Sequence, residues 1–366
     1  MRFVTLFLKT GNVHLIKDVG MIPYHLYRDH GFDCSVACYD NGGDYSYADN
    51  EVKGLKIDLV KKTRAGIIGD GIGYLVKNAR KIDILNIYHL NLSSYFYEIA
   101  YRIFNPKGKI YLKLDMNPAG FISCFKKNPV GIIKRATIRR ADLVSVETTM
   151  MLKKLKIFYG DKVIYIPNGC YREEAEDEPA AKEDVILTVG NLGTREKATD
   201  VLLEAYASYI KGFPYSNWKL RLVGSIDEGF KGYIEDYYRR YPGLKDRVTF
   251  TGPISDRREL KREYERARVF TLPSLSESFG IVLVEAALCG CYLITSDMVP
   301  AGYDISDKYR YGTSVQAGNA SELARAFAGV CDKENDWEDM GKKIAARTEA
   351  AYDWRKIVDR LFAALS

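Results

Sequence analysis

No run of about 20 apolar residues, the length a helix needs to cross a bilayer, occurs in this chain of 366 residues. A transmembrane helix is therefore not expected. The apolar start, MRFVTLFLKTGN, is short, lacks a small-residue cleavage site and alternates like a strand, so it reads as the first strand of the fold and not as a secretion signal. Cysteine pairing is absent as a pattern. Cys34, Cys38, Cys124, Cys170, Cys289, Cys291 and Cys331 are odd in number and share no spacing, which does not suggest a zinc site and reads as free thiols in a reducing cytosol. GIIGDGIG (Gly66–Gly73) has the look of a dinucleotide loop, but it follows no strand and its glycines miss the G-x-G-x-x-G spacing. The basic residues are not interleaved with an aromatic stacking platform, so no nucleic-acid partner is expected.

What is present is an uneven charge. Met1–Arg172 carries 27 Lys and Arg against 15 Asp and Glu, and the remainder carries 27 against 33. A basic first half suits an anionic partner, a membrane surface or an acidic acceptor. Both halves alternate strand-like and helix-like segments. RFVTLFL, FDCSVACYD, GLKIDLV, DILNIYHL, KIYLKLD and ADLVSVET read as strands. VHLIKDVGMIPYHLYRDHG reads as a helix ending at Gly31, and SSYFYEIAYRIFN as one capped by Ser93 or Ser94. The acidic YREEAEDEPAAKED lacks apolar periodicity and reads as a linker, after which VILTVGN, WKLRLVGS, RVTFTG, RVFTLPS and CYLITSD supply further strands. The expected organisation is α/β and doubly wound: a Rossmann-like domain over 1–170, a linker over 171–184, a second Rossmann-like domain over 185–345, and a C-terminal helix over 346–366. In that last segment Trp354, Ile357, Val358, Leu361, Phe362 and Leu365 form one apolar stripe, which is expected to pack back on the first domain. Two such domains imply a cleft, with ligands beyond the carboxyl ends of the strands.

One stretch raises a specific question. In SLSESFGIVLVEAALCG (Ser274–Gly290), Glu285 stands between Val284 and Ala286 in an almost wholly apolar run. A bare buried carboxylate costs several kcal/mol, so the group either faces water or holds something. The loop after RVFTLP leads into a helix starting near Gly280. The backbone N–H groups of Phe279, Gly280 and Ile281 then form a helix start, which suits a phosphate. Glu277 precedes that start and Glu285 follows it by about one and a half turns.

This arrangement, with Pro273, Ser274, Glu277, Phe279, Gly280, Glu285, Ala286 and Gly290 in place, resembles the E-x7-E motif of family 4 glycosyltransferases, which have the GT-B fold. The resemblance implies that Glu277 contacts donor-sugar hydroxyls, that the backbone of Phe279–Ile281 holds a diphosphate, and that Glu285 holds a ribose diol. ILTVGNLGTREKATD is similar to the start of the family's second domain. Lys197 matches the phosphate-binding lysine, Asn191 stands where arginine is usual, and Arg195 is placed to supply the missing cation. VTFTGPIS resembles the stretch along the nucleobase, with Pro253 and Ile254 at its end, and IPNG (Ile166–Gly169) resembles the end of the first domain.

In the first half the likeness is one of layout. Gly11 in KTGN falls where the family has a glycine loop near the diphosphate, or it is a plain turn. Asp115 stands near the place of an acceptor-side histidine; it is either an acceptor contact or a helix cap. His89 is an acceptor-side or a structural group. The segment 119–142 is a face for an anionic membrane or a solvated amphipathic helix beside the acceptor.

The resemblance implies a retaining, metal-independent hexosyltransferase with no cofactor. No D-x-D pair occurs at a strand end, so a metal-bound diphosphate is not implied. Glu277, Lys197 and Asp115 are its expected catalytic residues. A nucleotide-diphosphate sugar, with UDP favoured on family frequency, would be donor to a glycan or lipid-linked acceptor in bacterial cell-surface polysaccharide or glycolipid assembly. The location expected is cytoplasmic, peripheral at the inner face of the plasma membrane. A catalytically silent nucleotide-binding subunit and a sugar-nucleotide epimerase of the same fold stay open.

Overall fold

The computed structural model describes residues 1–40, 45–170, 179–331 and 335–365. They form two compact units, Met1–Arg172 with Tyr352–Ser366, and Glu173–Ala351. Most of the expected linker lies outside the described residues.

The first unit holds seven strands: β1 (Arg2–Leu6), β2 (Asp33–Tyr39), β3 (Lys56–Val60), β4 (Ile84–Tyr88), β5 (Lys109–Leu114), β6 (Leu143–Val146) and β7 (Val163–Tyr165). All pair in parallel, in the order β3-β2-β1-β4-β5-β6-β7. Phe3 lies opposite both Cys34 and Ile84. The central strands read as continuous apolar runs because helices cover both faces. Successive residues point to opposite sides: Val4, Leu85 and Leu112 enter one apolar layer, and Phe3, Ile84 and Tyr111 enter the other.

The C-terminal stripe belongs to that second layer. Trp354, Ile357, Val358, Leu361 and Leu365 are buried there with Ile22 and Leu26 of the helix Asp18–His30. His30 stacks on Phe362 at 4.1 Å between ring centroids. The boundary differs from the expected 346–366. One helix ends at Tyr352 and another runs from Trp354 to Leu365. Asp353 separates them and its carboxylate accepts from the Lys356 N–H at 3.1 Å, which favours a fresh helix start. Gly169 meets this helix closely, since a Cβ there would lie 2.8 Å from Trp354 Cδ2.

Several local expectations change. The first helix is two, Asn12–Leu15 and Asp18–His30, and the second ends on Gly31 at φ 69°. The helix Leu92–Phe104 is capped by Asn91, whose Oδ1 accepts from Ser94 N–H at 2.9 Å. Ser94 is buried and its hydroxyl donates to the Tyr88 carbonyl at 2.8 Å, so it anchors the helix to β4 instead of capping it. GIIGDGIG lies inside the helix Gly66–Asn78. The 119–142 segment is two helices, Pro118–Cys124 and Pro129–Arg140, each opened by an Asn-Pro pair.

The second unit holds β8 (Glu183–Val189), β9 (Lys219–Val223), β10 (Val248–Gly252), β11 (Ala267–Leu272), β12 (Tyr292–Ser296) and β13 (Gly312–Val315). Its sheet is also parallel, in the order β10-β9-β8-β11-β12-β13. The order reverses between β8 and β11, the position at which open α/β sheets bind ligands. No helix among the described residues is long and apolar enough to cross a membrane.

Leu361 is fully buried among the residues of the first unit. Leu361→Ala is expected to cost about 2–5 kcal/mol, read as a lower melting midpoint in thermal denaturation. An unchanged midpoint would mean that the terminal helix is not part of that unit's stable core.

Candidate functional site

In the second unit the loops after β8 and β11 are fastened to each other. The Leu275 N–H donates to the Glu196 carbonyl at 2.7 Å, and the Glu277 N–H ties the second of these loops to the one after β12 by donating to the Met298 carbonyl at 3.2 Å. This fastening brings Lys197 Nζ into direct contact with Glu277 Oε1. Ser274, fully buried, stands 3.4 Å from the same carboxylate oxygen through its hydroxyl. Both ends of the ion pair keep some exposure, so neither charge carries the full cost of desolvation. Ala198 follows Lys197 at φ 49°, an uncommon conformation for alanine. It marks the sharp entry from that loop into the helix Thr199–Gly212.

The helix Ile281–Leu288 begins where expected. Gly280 is its N-cap, at φ 78° and ψ 74°, where a side chain would be strained; a Cβ would also stand 3.0 Å from Leu272 Cδ2. The first intrahelical bond runs from Leu283 N–H to the Gly280 carbonyl at 2.9 Å. Phe279 is buried and Ile281 partly so. The N–H groups at this start give the local field a positive sign. Glu285 is only partly buried, and the Tyr264 hydroxyl donates to its Oε2 at 2.7 Å. The puzzle of a carboxylate in an apolar run resolves locally: the helix turns Glu285 away from Leu283, Val284 and Ala286, which are buried, and toward Tyr264. Tyr264 escaped the sequence reading because it lies on the helix Arg257–Arg266, distant in the chain.

The remaining expected donor residues sit on loops of the same unit. Asn191 follows β8 and its Oδ1 accepts from Ser225 Oγ at 3.0 Å. Arg195 is exposed in the same loop as Lys197. Pro253 and Ile254 follow β10, ahead of Asp256, which caps the helix Arg257–Arg266 through the N–H groups of Arg258 (2.7 Å) and Glu259 (3.1 Å).

The first unit carries a second cluster at the carboxyl ends of its strands. Lys113 on β5 is fully buried. Its ammonium donates to Glu147 Oε1 at 2.8 Å and to Asn168 Oδ1 at 3.2 Å, and lies 3.4 Å from Asp18 Oδ2. Asn168 also donates to Glu147 Oε1 at 2.8 Å. Burial alone would lower the Lys113 pKa, but Glu147 and Asp18 hold it above its ordinary value. Burial pushes the Glu147 carboxyl up from its ordinary range, against the pull of Lys113 and with Asp115 and Asp18 adding repulsion. Sequence reasoning missed this cluster. Its one signal was Lys113 between Leu112 and Leu114 in an otherwise apolar strand, the same oddity that drew attention to Glu285.

Around it stand the expected acceptor-side residues. Asp115 is exposed just past β5. It is not the cap of the next helix, which is Asn117, its Oδ1 accepting from Gly120 N–H at 2.7 Å. His89 takes φ 62°, donates its N–H to the Lys113 carbonyl at 3.2 Å, and lies 5.7 Å from the Phe7 ring. The Gly11 N–H donates to His14 Nδ1 at 2.9 Å. Gly11 has φ −116°, and a Cβ there would stand 3.8 Å from its nearest neighbour, His14 Nδ1, so the place does not demand glycine. Desolvation of His14 lowers its pKa, in keeping with a neutral ring that accepts this bond.

Comparison with known proteins defines the class first. The whole chain superposes on Anabaena Alr3699/HepE, solved in complex with UDP, with a TM-score of 0.75 at 16% identity, covering 100% of this chain and 99% of that one. The lipopolysaccharide outer core galactosyltransferase WaaB gives 0.74 at 16% identity, with 100% of both chains covered. At such identity the likeness is one of fold, and that fold is GT-B, with its paired Rossmann-like domains. Residues 183–333, which lie in the second unit, match the family model described as Glycosyl transferases group 1. Among curated relatives, a D-inositol 3-phosphate glycosyltransferase of Paenarthrobacter aurescens is 30% identical over 171 residues, 47% of this chain and 41% of the relative. A phosphatidyl-myo-inositol mannosyltransferase of Mycobacterium leprae is 27% identical over 210 residues, 55% of this chain and 53% of the relative. The matched region thus spans about half the length of these relatives.

Two expectations follow from the geometry. Glu277→Gln releases Lys197 and removes a negative charge from its neighbourhood. Pyrophosphate binding by calorimetry is expected to tighten by up to about fivefold, the scale of a partly exposed ion pair. Weaker binding would sink the view that this carboxylate competes with an anion for Lys197. For Glu147, burial pushes the carboxyl above the ordinary glutamate range. A carboxyl raised in the folded state contributes stability at low pH that is lost as pH rises through its shifted value. Glu147→Gln is expected to flatten that decline in pH-dependent urea denaturation, and an unchanged slope would show that Glu147 does not hold the proton.

Proposed function

We propose that the chain is a retaining glycosyltransferase that moves a hexose from a nucleoside-diphosphate sugar, UDP-sugar by preference, to a hydroxyl of a glycan or lipid-linked acceptor. The observation that carries this reading is the contact of Lys197 with Glu277, two loops held together beside the helix that presents Glu285. As the sugar leaves, negative charge collects on the diphosphate. Lys197, Arg195 and the N–H groups of Phe279, Gly280 and Ile281 answer that charge without a metal. Glu277 turns to the donor sugar's hydroxyls once Lys197 engages phosphate, and Glu285 takes the ribose diol. Asn191, Pro253 and Ile254 line the nucleotide. The acceptor oxygen attacks the anomeric carbon on the face the diphosphate leaves. The C–O bond to phosphate breaks, the new glycosidic bond forms on the same side, and the acceptor proton passes to the departing phosphate.

The UDP preference is supported by the UDP named in solved GT-B relatives. Curated relatives named for inositol phosphate and phosphatidylinositol support an anionic, hydroxyl-bearing acceptor, met by the first unit through Asp115 and His89. Such a reaction belongs to cell-surface polysaccharide or glycolipid assembly on the cytoplasmic side of a membrane.

Thermal shift with UDP, GDP, ADP and CMP, in the absence of metal, tests the donor site. Stabilisation is expected with UDP above the others, and Glu285→Ala is expected to weaken UDP binding about tenfold or more, the weight of hydrogen bonds to a charged group. No shift with any nucleotide would overturn the donor assignment and favour a silent subunit. Consumption of a UDP-sugar with no acceptor present, yielding an isomeric UDP-sugar, would favour an epimerase.

A further inference from the structure

Three helices of the first unit carry apolar side chains that the transfer reaction does not use. They are Pro118–Cys124, Pro129–Arg140 and Thr149–Tyr159. Ile122 is 63% exposed, Val130 56%, Ile132 58%, Ile157 79% and Phe158 55%. Single exposed apolar residues are ordinary in a soluble protein, but grouped ones are not. These are joined from beneath. The rings of Phe121 and Phe125 of the first segment lie 6.4 and 4.4 Å from Phe158 of the third, and 5.0 Å from each other. Lys134 Nζ donates to Ser123 Oγ at 2.7 Å and Arg135 to the Cys124 carbonyl at 2.6 Å, which ties the second helix to the first.

The charge around this apolar set is predominantly positive. Residues 119–162 contain ten Lys and Arg, and their acids are Asp142, Glu147 and Asp161. Asp142 pairs with Arg102, Glu147 is buried against Lys113, and the exposed Asp161 pairs with Lys156 at 3.3 Å. None of these offsets the exposed Lys126, Lys127 and Lys153. Lys154 lies over the Phe121 ring at 5.4 Å. Apolar tips among lysines suit the boundary of an anionic bilayer, where the tips enter the acyl edge and the ammonium groups stay at the phosphates. A second copy of this face is a poor occupant, since it would set the same lysines against one another.

We propose that this three-helix face docks on an anionic phospholipid surface, with Ile157 and Phe158 as its inserted tips. The face is wider than the 119–142 segment singled out in the sequence, because Thr149–Tyr159 supplies its most exposed residue. The proposal stands independently of the donor site.

Flotation of the full chain with phosphatidylcholine vesicles, with and without phosphatidylglycerol, tests it. Binding is expected to be about tenfold or more stronger to the phosphatidylglycerol vesicles and to weaken as salt rises. Ile157→Glu/Phe158→Glu is expected to abolish it while leaving the UDP thermal shift unchanged, with the melting midpoint lowered by the loss of the Phe158 ring contacts. Should that variant fold poorly, Lys126→Gln/Lys127→Gln/Lys153→Gln decides, with an expected loss of the phosphatidylglycerol preference alone. Absent or lipid-independent binding, or binding retained in a folded Ile157→Glu/Phe158→Glu, overturns the proposal. The UDP shift reads the donor site separately, so failure of one reading leaves the other standing.

Discussion

The ion pair of Lys197 with Glu277 is the contact on which the second unit's site depends. It joins a loop after β8 to a loop after β11, across the point where the strand order reverses. The backbone bond from Leu275 to Glu196 sets the distance between those loops. The buried Ser296 hydroxyl, donating to the Ser274 carbonyl at 2.5 Å, ties the second loop to β12. Gly280 then permits a helix to begin directly after that loop, which leaves its N-terminal dipole beside the pair. A cation, a carboxylate and a helix start thus occupy one corner of the unit, an arrangement suited to an anion with hydroxyls attached.

The first unit carries its charged cluster at a different place, beyond the ends of β5, β6 and β7 and away from the reversal between β1 and β4. Its strand ends hold Lys113, Glu147, Asp18 and Asn168 in a network that is almost wholly buried. Breaking one member would leave an uncompensated charge among Tyr88, Tyr111 and Ile166, which is costly. Such a network holds strand ends and the helix start at Asp18 in register, and it underlies the exposed Asp115 and the left-handed turn at His89. The partly exposed pair in the second unit can exchange partners at small cost; the buried one in the first cannot. One is suited to ligand exchange and the other to support.

Much of this was legible in the chain. Strand alternation, apolar runs and the single stripe from Trp354 to Leu365 pointed to two parallel α/β units and a docked final helix, because burial on both faces leaves a strong mark on composition. Glu285 stood out because a charge among Val284, Ala286 and Leu288 needs an explanation. Less legible were features that depend on residues far apart in sequence. Asn91 and not Ser93 or Ser94 caps its helix because Ser94 is drawn to the Tyr88 carbonyl. Asp115 loses the cap to Asn117 for a reason of spacing to Gly120. Gly11 has neither the φ nor the crowding that would require glycine.

The sequence alone determined the doubled α/β class, the small-residue loop ahead of Ile281 and the basic charge of residues 119–142, because periodicity, helix-start chemistry and net charge are local properties. Only the tertiary structure decided that Tyr264 would hold Glu285, that Lys197 would meet Glu277, that Lys113 would be enclosed by three elements, and that Phe158 would join Phe121 on one face. Each of these pairs residues that are distant along the chain, and their meeting follows from how parallel strands order themselves in a sheet and not from any neighbourly pattern.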